Sequence, residues 1–154
     1  MTADIEIQVT DPAAPEARRL IAELDAYLES LYPHEANHLL SVEELKKSGV
    51  TFLTAIINGR AAGCGAYINR GDYAEIKRMY VMPEFRGLKI GRRLLQELEA
   101  MVKAAGLRIL RLETGVRQPE ALRLYERAGY HRRNAFGDYR DNEYLSVFME
   151  KIFS

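Results

Sequence analysis

Between Val50 and Thr114 the apolar pattern switches from the strand period to the helix period and back, and this switch limits the folds open to the chain. Val50 to Ile57 is rich in β-branched residues, Asn58-Gly59 is a hairpin turn, and Ala61 to Asn69 returns as a second strand. Arg70-Gly71-Asp72 turns the chain again, and Tyr73 to Met82 runs back as a third strand that Pro83 stops. Ile90 to Ala105 then reads as a helix, with Ile90, Leu94, Leu98 and Met101 on one face and Gly106 as its stop. Arg108 to Thr114 is a strand again. Strands joined by tight turns pair antiparallel, whereas strands joined through a helix pair parallel. The sheet must therefore be mixed, with helices on its faces.

The flanking segments extend the same plan. Ile5 to Val9 alternates as a strand and Asp11-Pro12 breaks it. Pro15 to Leu31 carries Leu20, Leu24, Leu28 and Leu31 at helical spacing. Ser41-x-x-Glu44 has the form of a capping box and predicts a short helix ending near Gly49. Pro119 to Ala128 is a helix with proline at its start and Gly129 at its stop. A last strand is expected over Leu145 to Lys151, with a short extra one near Tyr130. The order is β-α-α-β-β-β-α-β-α-β, an α/β fold with a mixed α+β sheet. With 154 residues and no repeat or linker, residues 1–154 are expected to form a single domain with one core.

Bulk properties exclude several classes. Hydrophobic residues at 47% and charged residues at 29% predict a soluble globular protein, and no apolar run approaches a membrane span. The opening "MTADIEIQV" reads as a strand and not as a signal peptide. The single cysteine, Cys64, excludes an intrachain disulfide framework and fits a reducing, cytoplasmic compartment. Twenty-two basic residues balance 22 acidic ones, which argues against a nucleic-acid binder. Locally the balance fails: Lys77, Arg78, Arg86, Lys89, Arg92 and Arg93 face only Glu84 within one short run. A positive patch on a neutral chain suggests a compact anionic ligand.

That run contains "RGLKIG", Arg86 to Gly91, between a strand and a helix. Free backbone N–H groups and the helix dipole can hold an anion there, and two glycines leave room for close approach. No Gly-Lys-Ser/Thr follows, so it is not a Walker loop, and it is not a dinucleotide G-x-G-x-x-G either. Taken with the later "LYERAGY", Leu124 to Tyr130, the run "RMYVMPEFRGLKIGRRLL" resembles the GCN5-related N-acetyltransferase (GNAT) family. Its signature is Gln/Arg-x-x-Gly-x-Gly/Ala after a strand, then Leu-Tyr-x-x-x-Gly-Phe/Tyr on the next helix. The resemblance is carried by about the last eighty residues, and the element order agrees over the rest. Lys89 occupies a usual glycine place; it is expected to keep an ordinary turn or helical angle, with Gly87 absorbing any unusual one.

The resemblance implies a GNAT-like acyl-CoA N-acyltransferase fold with a central splayed sheet, and acetyl-CoA as co-substrate with no metal. It implies that the backbone of Met79, Tyr80 and Val81 runs beside the pantetheine arm. Arg86, Gly87, Leu88, Lys89, Ile90, Gly91 and Arg92 would hold the pyrophosphate, and Gln118 would stand near the cofactor. Tyr125 would lie close to the thioester sulfur as general acid. Two carboxylates are candidates for the base, Glu75 at the start of one strand and Glu113 at the end of the next; a water relay is the third route.

Three further motifs have competing readings. "HEANH", His34 to His38, matches the zinc pattern H-E-x-x-H, but Pro33 and the Ser41 cap leave only about two helical turns. In this family the segment borders the acceptor pocket, so Glu35 and His38 are candidates for substrate contact. "GCGAY", Gly63 to Tyr67, reads as small residues for close packing, with Cys64 buried and inert. "AFGDYRDNEY", Ala135 to Tyr144, reads either as a surface loop or as the closure of the acceptor side through Phe136 and Tyr139.

The expected activity is acetyl transfer to a primary amine of a small or amino-acid-like molecule, by direct attack in a ternary complex. Acetylation of a protein N-terminus or lysine and a non-catalytic acyl-CoA sensor are the alternatives. The expected partner is a small amine rather than nucleic acid or membrane; dimers are common in the family, so a homodimer is also expected.

Overall fold

The structure, a computed structural model, describes residues 4–32, 41–47, 49–139 and 144–153. Seven strands form one sheet in the order β1-β2-β3-β4-β5-β7-β6. They are β1 (Ile5–Val9), β2 (Val50–Ile57), β3 (Arg60–Asn69), β4 (Ala74–Val81), β5 (Ile109–Gly115), β6 (His131–Arg133) and β7 (Ser146–Ile152). The helices are α1 (Pro15–Leu31), α2 (Val42–Leu45), α3 (Ile90–Ala104) and α4 (Pro119–Arg127), with a 3-10 turn at Pro83–Phe85. Only the β4–β5 pair is parallel, as a helical connection between them demands.

Local chemistry explains the joints. Asn58 and Gly59 both take positive φ, +50° and +76°, as a tight β2–β3 hairpin requires. The Ser41 hydroxyl accepts from the Glu44 N–H at 3.1 Å, and the Glu44 carboxylate accepts from the Ser41 N–H at 3.3 Å. That closes the capping box on α2.

Each face of the sheet is covered by a different set of helices. Ile90, Leu94, Leu98 and Val102 of α3 join Tyr125 of α4 over one face, with Leu53, Ile76 and Leu112 beneath. On the other face, Ala17, Leu20, Ile21 and Leu24 of α1 and Leu45 of α2 cover Cys64, Ala66 and Tyr80. The glycines of "GCGAY" are packing positions: a Cβ on Gly63 would lie 2.8 Å from the Tyr80 carbonyl, and one on Gly65 would lie 2.4 Å from Met79 Sδ. Cys64 between them is fully buried, and burial pushes its thiol up to about 12. A thiolate-directed reagent is therefore expected to leave the native protein unmodified and to label one thiol per chain in denaturant. Labelling of the native protein at the denatured rate would contradict this burial.

The decisive irregularity lies in β4. Arg78 has φ +61°, and the β3–β4 register shifts between Cys64 and Ala66, which marks a bulge. β4 pairs with β5 only from Ala74 to Ile76, against Leu110 to Leu112. Beyond Ile76 the two strands diverge, and the edge of β4 from Lys77 to Val81 has no ladder partner on β5. This is the splay that the sequence resemblance predicted.

Candidate active site

The loop after β4 turns sharply into α3. Gly87 has φ +88° and Lys89 has φ +63°, ψ +28°, which places Lys89 in the left-handed region as the N-cap of α3. The expectation of an ordinary angle at Lys89 is thus corrected. The chain needs two left-handed residues to swing from the 3-10 turn into the helix, and Gly87 supplies only one. Alternating positive and negative φ in this way turns successive N–H groups toward one side, the geometry of an anion nest. A β-carbon in that conformation costs about 1–2 kcal/mol. Lys89→Gly is expected to raise stability by roughly 0.5–1 kcal/mol, less than the full strain because glycine also loosens the unfolded chain. A denaturant midpoint no higher than that of the parent would contradict the strain.

Beside this loop opens a cleft of about 820 Å³. The free edge of β4 forms one wall through Met79, Tyr80 and Val81, and α4 forms the other through Leu124 and Tyr125. The loop and the first turn of α3 close one end, and Leu24 and Tyr27 of α1 reach in from the opposite face of the sheet. Gly91 sits in that first turn, where a Cβ would lie 3.3 Å from Leu124 Cδ2 and 3.7 Å from Val81 Cγ2. Its missing side chain keeps the space between β4 and α4 open. Arg86 lies along the rim: its Nε donates to the Val81 carbonyl at 3.3 Å, and its guanidinium sits 5.9 Å from the Tyr27 ring centre. A loose pair at 3.7 Å joins it to the exposed Glu120 of α4.

Tyr125 is buried in the cleft wall, edge-on to Tyr130 at 5.8 Å. Burial, and after it the negative charge of Glu113, hold its phenol well above the usual tyrosine range. No hydrogen bond to its hydroxyl occurs among the described residues. Glu113, two residues inside the end of β5, accepts from the Ser146 hydroxyl at 2.7 Å and is half-buried. After burial and nearer groups, its charge also helps to raise the phenols of Tyr32 and Tyr139.

Glu75 is not an edge acid. It is only 2% exposed, and both of its oxygens are engaged. Arg70 donates to Oε1 at 3.1 and 3.2 Å, Tyr139 donates to Oε2 at 2.7 Å, and Lys77 Nζ lies 3.1 Å from Oε2. Lys77 also donates to the Tyr139 hydroxyl at 2.6 Å. Phe136 is buried against Tyr73 at 5.6 Å, Tyr139 at 5.2 Å and Phe148 at 5.8 Å. Phe136 and Tyr139 are therefore packed against side chains of β4, β5 and β7, whereas Tyr144 is exposed.

Residues 17–130 match the model of the acetyltransferase (GNAT) family. An IAA acetyltransferase from Azospirillum brasilense is 45% identical over 150 residues, covering 96% of this chain and 97% of that one. This chain belongs to the GNAT acetyltransferases. A crystal structure from Klebsiella pneumoniae, assigned to the acyl-CoA N-acyltransferases, is 38% identical. It superposes with a TM-score of 0.82 over 97% of this chain and 98% of its own. The PaiA N-acetyltransferase of Thermoplasma acidophilum, solved with coenzyme A, is 22% identical with a TM-score of 0.70 over 97% and 99% of the two chains, and shares the fold. The protein is accordingly an acetyl-CoA-dependent acetyltransferase.

The cleft of this GNAT acetyltransferase gathers most of the residues expected from sequence. Met79, Tyr80, Val81, Arg86, Gly87, Lys89, Ile90, Gly91, Arg92, Gln118 and Tyr125 all line it. Leu88 does not; its side chain is 46% exposed. Glu75, Glu113, Phe136 and Tyr139 lie outside the lining. Glu35 and His38, with the rest of "HEANH", fall outside the described residues. Among the described residues no group of His, Cys, Asp or Glu could hold a metal. The basic run divides: Arg86, Lys89 and Arg92 reach the cleft, whereas Lys77 and Arg78 turn to the α1 face and pair with Glu75 and Asp25. Arg123, Arg127 and Lys151 replace them at the cleft. The first two stand one helical turn apart on α4, a spacing visible in the sequence; Lys151 comes from β7 and gives no such signal. No helix among the described residues is long and apolar enough to cross a membrane.

Proposed function

We propose that this acetyltransferase moves the acetyl group of acetyl-CoA onto a primary amine of a small molecule, by direct attack with both substrates bound. The observation that carries this reading is the continuous cleft from the loop 86–91, along the unpaired edge of β4, to Tyr125. The chain fits the co-substrate in shape and charge. Gly91 leaves the entry open, Arg86, Lys89 and Arg92 suit a pyrophosphate, and the bare edge of β4 suits the amides of a pantetheine arm. Acetyl-CoA supplies an activated thioester carbonyl and a thiolate leaving group.

Each protein group then has one task. Backbone N–H groups at the β4 splay polarise the acyl oxygen. Tyr125 keeps its proton through the working pH range and delivers it to the sulfur. Glu75, Glu113 or a water relay draws a proton from the incoming amine; each carboxylate already accepts a hydrogen bond, Glu75 from Arg70 and Tyr139 and Glu113 from Ser146. Glu75 and Lys77 also hold Tyr139, and with it Phe136, in place as a wall of the acceptor side. The Azospirillum relative, named for IAA, supports a small acceptor.

Release of CoA thiol across a panel of primary amines tests the proposal, with intact-mass measurement of candidate polypeptides as the parallel arm. Turnover confined to small amines supports it. Coenzyme A binding with no turnover on any acceptor would instead identify a sensor.

A further inference from the structure

The splay leaves the site with a mechanical problem. The thioester would lie along β4, whereas Tyr125 belongs to α4, which hangs from β5. Pairing between those strands ends at Ile76 and Leu112, so the sheet does not set the distance between the two walls of the cleft.

A contact that crosses the gap comes from the end of α1. This helix packs on β3 and β4, and its C-cap residue is Tyr32. The Tyr32 ring reaches to the turn between β5 and α4. Its hydroxyl accepts from the Arg117 N–H at 2.9 Å and donates to Gln118 Oε1 at 3.2 Å. The same Gln118 oxygen accepts from the Gly115 N–H at 3.1 Å. The Arg117 guanidinium lies 5.6 Å from the Tyr32 ring centre and donates to the Leu31 carbonyl. Gly115 is shaped for this contact: a Cβ there would lie 1.9 Å from the Tyr32 hydroxyl and 2.7 Å from Gln118 Oε1. Gly115 does not have a positive φ, so its backbone conformation would accept alanine. What makes a side chain costly at this position is the phenol. Gln118 is in turn the N-cap of α4, whose next full turns carry Tyr125.

We infer that Tyr32 is a positioning residue for catalysis: its hydroxyl ties the β4 half of the sheet to the base of α4, and so sets where Tyr125 stands relative to β4. The inference rests on the proposed acid role of Tyr125. It assigns no contact between Tyr32 and substrate. Misplacement by about 1 Å can cost roughly 100-fold in rate, so a lost brace is read in turnover before it is read in binding.

Two variants remove the contact from opposite sides. Tyr32→Phe deletes the hydroxyl and keeps the ring, and Gly115→Ala evicts the hydroxyl while leaving Tyr32 intact. Thiol release from saturating acetyl-CoA is measured without acceptor and with the amine panel, beside coenzyme A affinity by calorimetry and thermal midpoints. Each variant is expected to lower kcat at least about tenfold well below its melting temperature, with coenzyme A affinity changed less than about threefold. The double variant should be no slower than the slower single one, because both act through one contact. If Tyr32→Phe lowers the melting temperature but leaves kcat unchanged, the contact is only structural and the inference is overturned. If Gly115→Ala fails to fold, Tyr32→Phe alone still decides. Absence of any thiol release by the parent protein would overturn the proposed function and this inference with it, whereas a fast parent with an unaffected Tyr32→Phe would overturn this inference alone.

Discussion

Gly91→Leu is expected to abolish coenzyme A binding while the protein remains folded. Gly91 lies in the first turn of α3 with no positive φ, so a side chain is compatible with the helix and gains up to about 1 kcal/mol of helix propensity. The obstacle lies ahead of the side chain. The Cβ already approaches Leu124 and Val81, the two walls of the cleft, and the remaining three carbons have only the cleft to fill. Calorimetric titration should show at least about a 100-fold loss of affinity, roughly 2.7 kcal/mol, with a thermal midpoint equal to or above the parent's. Unchanged affinity in a folded variant would remove the loop from the binding site.

The second large effect concerns Tyr125. Tyr125→Phe keeps the edge contact with Tyr130 and removes only the hydroxyl group, and with it the acidic proton. The expected loss is about 100-fold in kcat, with coenzyme A affinity within about threefold, because a general acid acts in the transition state. The pH profile gives an independent reading. Burial raises the phenol's pKa above its ordinary value of about 10, so the proton-donating form is fully populated at every pH below that value. Any inflection of kcat between pH 6 and 9 must then come from another group (the incoming amine or its base). Tyr125→Phe should shift the whole profile down without moving that inflection. A variant that abolishes the inflection, or one that turns over at the parental rate, would deny Tyr125 the acid role.

Local chemistry made most of the scaffold legible. The capping box at Ser41, Asn58-Gly59 and the proline and glycine punctuation of α4 each act over a few residues, and the elements form where those signals stand. Residues of both linked motifs line one cleft. What stayed hidden depends on distance or on backbone strain. A lysine does not advertise a left-handed angle, and Lys89 takes one. The bulge at Arg78 breaks the alternation of β4, and the adjacent Lys77 and Arg78 both stay out of the cleft and pair with Glu75 and Asp25. Glu75 looks like any strand-edge acid until Tyr139, 64 residues away, is folded onto it. Tyr32 meets Arg117 and Gln118 across comparable separations, and nothing near it in sequence announces the contact.

The same splay has a consequence for stability. β4 and β5 share three residue pairs, whereas β2–β3 and β5–β7 are paired along most of their length. The parallel joint is thus a short seam, no longer than the three-pair β6–β7 joint, and a partial opening there would separate a β1–β4 meander from the β5–β7 unit. A ligand lying along that seam would bond to both sides of it. Saturation with coenzyme A should therefore stabilise more than the cleft: by mass action it adds about 2.7 kcal/mol at 100 times the dissociation constant. Much of that gain would suppress the opening of one half of the molecule from the other, so the co-substrate would serve in part as a structural member.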